Sequence, residues 1–264
     1  MLDISYATRD RRFDEFLTSR ERLSFAAPVW QPRLVLAPAW RLDPRSRLFK
    51  RLLDVAVASI CLVLLAIPAL FLMAAIRMES RGPVLFRQQR VGLHGVLFTM
   101  YKFRSMRQRD DHPGVLRQRD DHPGVLRQRD DHPGVLRQAT RDDPRVTRIG
   151  GWMRRHSLDE VPQLLNVLRG DMSAVGPRPH APGTRAGGRL FEDVTHRYAA
   201  RHCVKPGMTG LAQVRGWRGE TDTEEKLLRR IDCDLEYIAT WSARLDLSII
   251  GRTAGTVLRA HNAY

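Results

Sequence analysis

Asp159 and Glu160 are adjacent carboxylates, with cations just upstream at Arg154 and Arg155 and a proline just downstream at position 162. An aspartate beside a second acid suits phosphoryl-type chemistry. One carboxylate attacks phosphorus, and the other holds a divalent cation that neutralises the phosphates. Pro162 cannot donate a helical hydrogen bond, so the local pattern predicts a helix that starts at Glu160 or Val161, runs to Leu168 and ends before Gly170. Asp159 then falls at or near the N-cap, where unpaired amides and the macrodipole favour an anion. A helix cap without chemistry explains the same residue, and local sequence leaves both readings open. Further on, Val175-Gly176-Pro177-Arg178-Pro179 predicts a rigid turn displaying one guanidinium, a fork that matches phosphate oxygens.

The elements that must position these groups begin with an apolar run. Residues 55–76 carry no charge, and a bilayer span needs about 20 residues. Lys50 and Arg51 precede the run and Arg77, Arg81 and Arg87 follow it, whereas a crossing helix favours basic residues on one side only. Pro68 lies inside it and disfavours a continuous helix. Together these predict a re-entrant helix-break-helix over 52–76 with both ends on the cytosolic side, a kinked span being the alternative. Residues 84–91 and 96–104 are β-rich around Gly92-Leu93-His94-Gly95 and predict a hairpin. Period-two alternation puts Lys102 and Arg104 on one face, where they meet a single phosphate or form a solvated basic edge.

Residues 107–136 are three identical copies of a ten-residue unit, followed by Arg137-Gln138 as a partial fourth. A Pro-Gly in each copy favours turns, so 107–138 is expected to be a surface loop made by tandem duplication. Its Asp-Asp-His triplets, as at 110–112, are a minor metal candidate. Toward the C-terminus Leu227, Leu228, Ile231, Leu235, Ile238, Trp241 and Leu245 recur at helical spacing. That stripe predicts a core face, with part of the region lying at the headgroup level as amphipathic interfacial helices. Residues 1–47 are polar, rich in arginine and broken by prolines, without the apolar core of a signal peptide, and are expected to be a mobile cytosolic lead-in.

Forty-four basic residues against 29 acidic ones give a net charge of +15, and only Lys50, Lys102, Lys205 and Lys226 are lysines. This excess suits nucleic acid, anionic headgroups or phosphorylated substrates alike. The apolar run favours the last two, and the interleaved basic and aromatic residues of nucleic-acid modules are missing, so no nucleic-acid partner is expected. Cys61, Cys203 and Cys233 are widely spaced and odd in number, with none in a C-x-x-C pair, which supports neither a zinc site nor a disulfide framework.

One set of motifs, in this order, closely resembles the bacterial sugar transferase family. The set comprises Lys50-Arg51 with Asp54, the proline-broken run, Gly82-Pro83 to Gly92, Tyr101-Lys102-Phe103-Arg104-Ser105-Met106 and Asp143-Pro144-Arg145. It continues with Ser157 to Gln163, Gly170-Asp171-Met172-Ser173, Val175 to Pro179 and Lys205-Pro206-Gly207-Met208-Thr209-Gly210. The resemblance implies a mainly helical α+β, monotopic membrane protein with its catalytic domain at 48–258 and a tail at 259–264. It implies the catalytic unit alone, without the extra membrane helices and second cytosolic domain of larger members. It also implies a bacterial inner-membrane location, with the catalytic domain on the cytoplasmic face.

By the same resemblance, Asp159 attacks the sugar-bearing phosphorus of a UDP-sugar and expels UMP, and undecaprenyl phosphate then takes the phosphosugar. Glu160 is implied to hold Mg²⁺, and Lys102, Arg104, Arg154 and Arg178 to bind phosphate. The segments Pro179-His180-Ala181, Arg197-Tyr198, Arg201-His202 and Gly210 to Thr221 look like the glucose-transferring branch, which starts exopolysaccharide and capsule synthesis. Arg215, where that branch usually carries Asn, keeps galactose and, more weakly, an N-acetylhexosamine open as donor sugars. A non-catalytic basic membrane scaffold is the alternative from another class, and retention of both acids argues against it. Homo-oligomerisation is compatible with all of this and is left open.

Overall fold

The computed structural model describes residues 43–107 and 143–258. Most of the expected lead-in, nearly all of the repeat loop and the tail therefore lie outside the described residues. Helix α1 spans Pro44–Glu79, 36 residues or about 54 Å at 1.5 Å per residue. The lead-in thus ends sooner than the sequence suggested. Pro44 occupies the first helical position, and the Asp43 side chain accepts from the amides of Arg45 at 3.1 Å and Ser46 at 3.2 Å. The expected break at Pro68 is also corrected, because the helix runs through it. A proline removes one donor from the ladder and has a helix-compatible φ, so a helix held on both sides can pass it.

α1 packs one stripe on the domain. Ala58 and Ile76 are fully buried, and Cys61, Leu62, Leu65, Ala69, Leu72 and Met73 lie partly buried against Met100, Phe103, Met153, Leu164 and Val167. The opposite side, including Ile60, Val63, Leu64, Ile67, Leu70 and Phe71, is exposed. Length and composition make α1 the one helix among the described residues able to cross a membrane.

Strands β1 (Leu85–Val91) and β2 (Leu97–Phe103) form the expected antiparallel hairpin, in register from Leu85 opposite Phe103 to Val91 opposite Leu97. Helix α2 (Arg148–Arg155) follows, its first turn capped by Thr147. Next come a 3-10 turn at Leu158–Glu160 and helix α3 (Gln163–Arg169). Here the sequence expectation needs a second correction: Asp159 lies inside the 3-10 turn, and Pro162 is the residue preceding the regular helix. In an α-helix the carbonyl of Leu158 would need the N–H that Pro162 lacks. It accepts from Val161 at 3.3 Å instead, which tightens the turn.

Strand β3 (Ser173–Val175) pairs in parallel with β6 (Gly207–Thr209), and between them lie the small hairpin β4 (Arg185–Ala186) and β5 (Arg189–Leu190), helix α4 (Phe191–Val194) and a 3-10 segment at His196–Cys203. A Cβ on Gly207 would stand 2.1 Å from the amide nitrogen of Gly176, so only glycine allows this approach. The chain closes with α5 (Leu211–Val214), α6 (Glu224–Thr240) and α7 (Ala243–Leu258). The C-terminal stripe therefore divides between two helices. Trp241 leaves helical geometry at ψ 135°, and the Ser242 hydroxyl accepts the Leu245 amide at 3.2 Å to start the next helix. Leu227, Ile231 and Ile238 are buried as expected, while Leu228 is 40% exposed.

Both ends of α1 are fastened to this one body. Near its start, the Lys50 ammonium donates to Asp246 at 2.8 Å, to the Val175 carbonyl at 3.0 Å and to Asp54 at 3.3 Å. Asp54 in turn accepts from the Ser173 hydroxyl and the Ala174 amide. Arg51 donates to the carbonyls of Val167 and Leu168 at the end of α3. At the other end the Glu79 carboxylate caps α2, accepting from the Arg148 amide at 2.7 Å. The motif Lys50-Arg51 with Asp54 thus anchors the helix.

Candidate active site

Asp159 and Glu160 open onto a cleft of about 530 Å³ between the β1–β2 hairpin, the 3-10 turn, the loop after β3 and residues 218–221. Three further residues singled out from sequence face it with them. The Lys102 ammonium lies 3.0 Å from Glu160 Oε1 and 4.0 Å from Asp159 Oδ2. Arg178 grips Glu160 with both prongs, Nη2 to Oε1 and Nη1 to Oε2 at 3.2 Å. Arg154 lines the cleft and donates from Nε to the Ser105 hydroxyl at 2.9 Å.

Arg104 departs from the expectation that it shares a phosphate with Lys102. Although it borders the cleft, its guanidinium donates to the carbonyls of Ile76, Ser80 and Arg81 at the end of α1. The strand ends at Phe103, so alternation no longer fixes the direction of the next side chain. Its Nη donors bridge the last turn of the helix to the two residues that follow it.

The acidities of the two acids are shifted in opposite directions. Burial pushes the Asp159 carboxyl above its ordinary value, and the neighbouring Glu160 charge adds to this against the opposing pull of Lys102. The local sequence suggested the reverse, an aspartate kept ionised by a helix terminus, and desolvation wins. Burial would raise Glu160 as well. There, however, the charges and hydrogen bonds of Arg178 and Lys102 prevail and hold the carboxyl well below the usual range.

Arg178 is itself placed from behind. Buried Arg201 donates to Asp234 at 2.7 and 3.0 Å, to the Arg178 carbonyl at 2.6 Å and to His180 Nδ1 at 2.8 Å. A guanidinium only donates, so His180 Nδ1 is an acceptor and its ring proton sits on Nε2. Burial, then the charges of Arg201, Arg230 and Arg90, keep that imidazole neutral, well below its usual titration range.

Other cleft residues escaped the sequence reading as site residues: Arg90, Arg107, Arg145, Arg218, Arg230 and Thr221. Arg90 and Arg145 lay within quoted motifs, whereas Arg230 looked like one more basic position on an amphipathic helix. Arg215, the departure from the glucose-branch pattern, lies away from the cleft and pairs with Glu236 on the surface at 2.5 and 2.6 Å. Arg197 likewise pairs with Asp232 in an exposed position.

A cleft dominated by guanidinium groups around a buried and a partly buried carboxylate, carried beside an exposed apolar helix, defines an anion-binding site at an apolar surface. A family model described as bacterial sugar transferase matches residues 45–260. The chain belongs to the bacterial sugar transferase family. It is 48% identical over 216 residues, 81% of this chain and 37% of the relative, to an undecaprenyl-phosphate glucose phosphotransferase of Komagataeibacter xylinus. It is 47% identical to a UDP-glucose:undecaprenyl-phosphate glucose-1-phosphate transferase of Caulobacter vibrioides, covering 81% of this chain and 72% of that one. An undecaprenyl-phosphate galactose phosphotransferase of Salmonella typhimurium is 38% identical over 83% of this chain and 42% of its own length. The chain thus spans well under half of the first and third of these relatives.

Proposed function

We propose that this chain transfers glucose 1-phosphate from UDP-glucose to undecaprenyl phosphate, releasing UMP, as a membrane step of exopolysaccharide synthesis. The observation that carries the proposal is the Asp159–Glu160 pair, facing Lys102, Arg154 and Arg178 in one cleft beside α1. The names of the relatives at 47 and 48% identity support glucose as the sugar.

In this reading an Asp159 carboxylate oxygen attacks the sugar-bearing phosphorus. The bond from that phosphorus to the bridging oxygen breaks, and the electron pair leaves with UMP. A phosphate oxygen of the lipid then attacks the same phosphorus, the bond to Asp159 breaks, and the free carboxylate returns with the lipid diphosphosugar as product. Burial supports the nucleophile's role because a poorly solvated carboxylate is more reactive, and Lys102 at 4.0 Å favours its ionised form.

Mg²⁺ is compatible with this donor set, since the ion commonly takes one or two carboxylates and completes its shell with substrate phosphates and water. Glu160, with Asp159 beside it, would hold it, and the ion would supply charge neutralisation on the diphosphate. Both Glu160 oxygens are engaged by Arg178 and Lys102, so these two cations would turn from Glu160 to the phosphates when donor and metal enter. Arg154 lies on the same wall and would take a phosphate oxygen in addition to the Ser105 hydroxyl.

We further infer a one-sided, monotopic membrane association on the cytoplasmic face, in which the unbroken α1 presents its exposed apolar side to the bilayer without crossing it. What supports it is that Lys50 and Asp54 near one end of α1, and Ile76, Glu79 and Ser80 at the other, bond to the same polar body. A body fastened to both ends of a helix is hard to divide between two sides of a bilayer. Cysteine-accessibility labelling at residues 48 and 90 tests this: labels on opposite sides of the membrane would establish a span.

The activity test incubates membranes containing the chain with undecaprenyl phosphate and a panel of UDP-sugars, reading UMP release. UDP-glucose is expected to be preferred. A tenfold higher kcat/KM for UDP-galactose, about 1.4 kcal/mol in transition-state binding, would reassign the sugar and leave the mechanism standing. Absence of turnover with every sugar would favour the scaffold.

A further inference from the structure

Of the cleft guanidinium groups that the mechanism above does not use, Arg90 and Arg230 stand apart. Arg230 on α6 is 8% exposed, and it donates to the Thr221 hydroxyl and, at 2.7 Å, to the Gly219 carbonyl. Arg90 at the end of β1 donates to the Pro179 carbonyl at 3.3 Å and the Gln88 side chain at 2.6 Å. All four acceptors are neutral. Neither arginine makes an ion pair among the described residues, and the Nε of each is buried without an acceptor. The nearby acids are already committed, Glu160 to Arg178 and Lys102, Asp234 to Arg201 and Asp222 to Lys226. Burial, and then the like charge of Arg178, lower the ordinarily very high pKa of both groups to about 10.

Buried cations ordinarily come with a counter-charge. Here no described acid forms an ion pair with either, and both side chains line the cleft. The location narrows the anion further. Around Asp159 the core that includes Met100, Phe103 and Val161 also takes in α1, so a lipid phosphate arrives on that side. Arg230 adjoins a separate core of Ala186, Phe191, Tyr198, Leu227 and Ile231 that contains no residue of α1. Arg230 therefore lies on a side of the cleft whose core excludes the apolar helix, suited to a water-soluble ligand.

We propose that Arg90 and Arg230 bind the nucleotide-side phosphate of the donor, and hold it as the phosphate monoester of the leaving UMP. This rests on the transferase reading above. That phosphate carries one negative charge in the diphosphate and gains a second as the bridging bond breaks. Two cations with buried Nε atoms and no ion-pair partner match the product end of the step better than the start, and so favour bond cleavage.

The test is calorimetric titration of UMP and of uridine into the detergent-solubilised full chain, without donor or acceptor, for wild type, Arg90→Gln and Arg230→Gln. UMP affinity is expected to fall at least tenfold in each variant, with uridine binding unaltered and the salt dependence of UMP binding reduced. Equal UMP affinity in wild type and both folded variants would overturn the proposal. A structure of the wild-type chain with UMP decides the matter even where a variant does not fold. Phosphate oxygens within hydrogen-bond distance of both guanidiniums are expected, and a phosphate seated elsewhere would refute it. Arginine-dependent UMP binding in a chain that turns over no UDP-sugar would keep this site and remove the transferase reading. Turnover with arginine-independent UMP binding would do the opposite.

Discussion

Asp234→Ala isolates the support behind Arg178. Asp234 is buried, with its carboxyl pushed upward by desolvation and pulled down by Arg201, which is 2% exposed. Removing the acid leaves a guanidinium uncompensated in the interior. Breaking a buried pair in this way costs about 3–5 kcal/mol. For a domain of this size each kcal/mol shifts Tm by about 2–4 °C, so a fall of roughly 6–20 °C is expected in differential scanning calorimetry. The double variant Arg201→Met with Asp234→Leu replaces the pair by apolar groups of similar volume, and much of that loss should return. Activity should not return with it. The bonds from Arg201 to the Arg178 carbonyl and to His180 are gone in the double variant, and nothing else replaces them. UMP release from UDP-glucose should therefore stay at least tenfold below wild type, mainly through kcat, while Tm recovers. Full recovery of both would show that Arg201 contributes only to stability, and an unchanged Tm in Asp234→Ala would refute the buried-charge argument itself.

Asp159→Asn is expected to abolish turnover and covalent labelling by donor, because an amide cannot act as the phosphorus nucleophile. It should also raise Tm at pH 7. Asp159 has a raised folded pKa, so its ionisation opposes folding at every pH above its titration, and the neutral amide removes that opposition; a Tm below wild type at pH 7 would contradict it. Arg178→Ala removes the leading influence holding Glu160 down, so the acid limb of the pH–rate profile should move toward neutral pH, and an unmoved limb would detach Glu160 from catalysis. Asp143, depressed to about 2 chiefly by its hydrogen bonds to Arg145, contributes stability that is present above about pH 4 and lost as pH falls toward 2. Asp143→Asn should flatten that part of a stability–pH curve and cost on the order of 1 kcal/mol at neutral pH, given the solvent-screened partner. Deleting residues 117–136 should leave activity and membrane association nearly unchanged, since loop closure costs only about 0.6 kcal/mol per doubling of length. Loss of activity in a folded deletion would give the repeat a role.

The hairpin was legible because period-two alternation and the Gly92–Gly95 turn are local properties of the chain. The same holds for the apolar length of α1, whereas the association of Asp159, Glu160, Lys102, Arg154 and Arg178 came from motif resemblance. What sequence alone misjudged was direction and burial. Arg104 and Lys102 are two positions apart, yet the strand ends between them and only Lys102 turns to the acids. Asp159 looked like a cap favoured by a helix terminus. The fold instead buries it, and desolvation outweighs local stabilisation of its charge. Pro68 looked like a break, but contacts at both ends of α1 hold one helix through it. Lys50 and Asp54 were visible as a motif, but their partners Val175 and Asp246 lie far along the chain and are joined to them only by folding. For Arg90 and Arg230, no spacing rule separates two arginines from the other basic residues of so cationic a chain. Their distinction is a deficit of nearby negative charge, a property of the packed interior that exists only once distant segments meet.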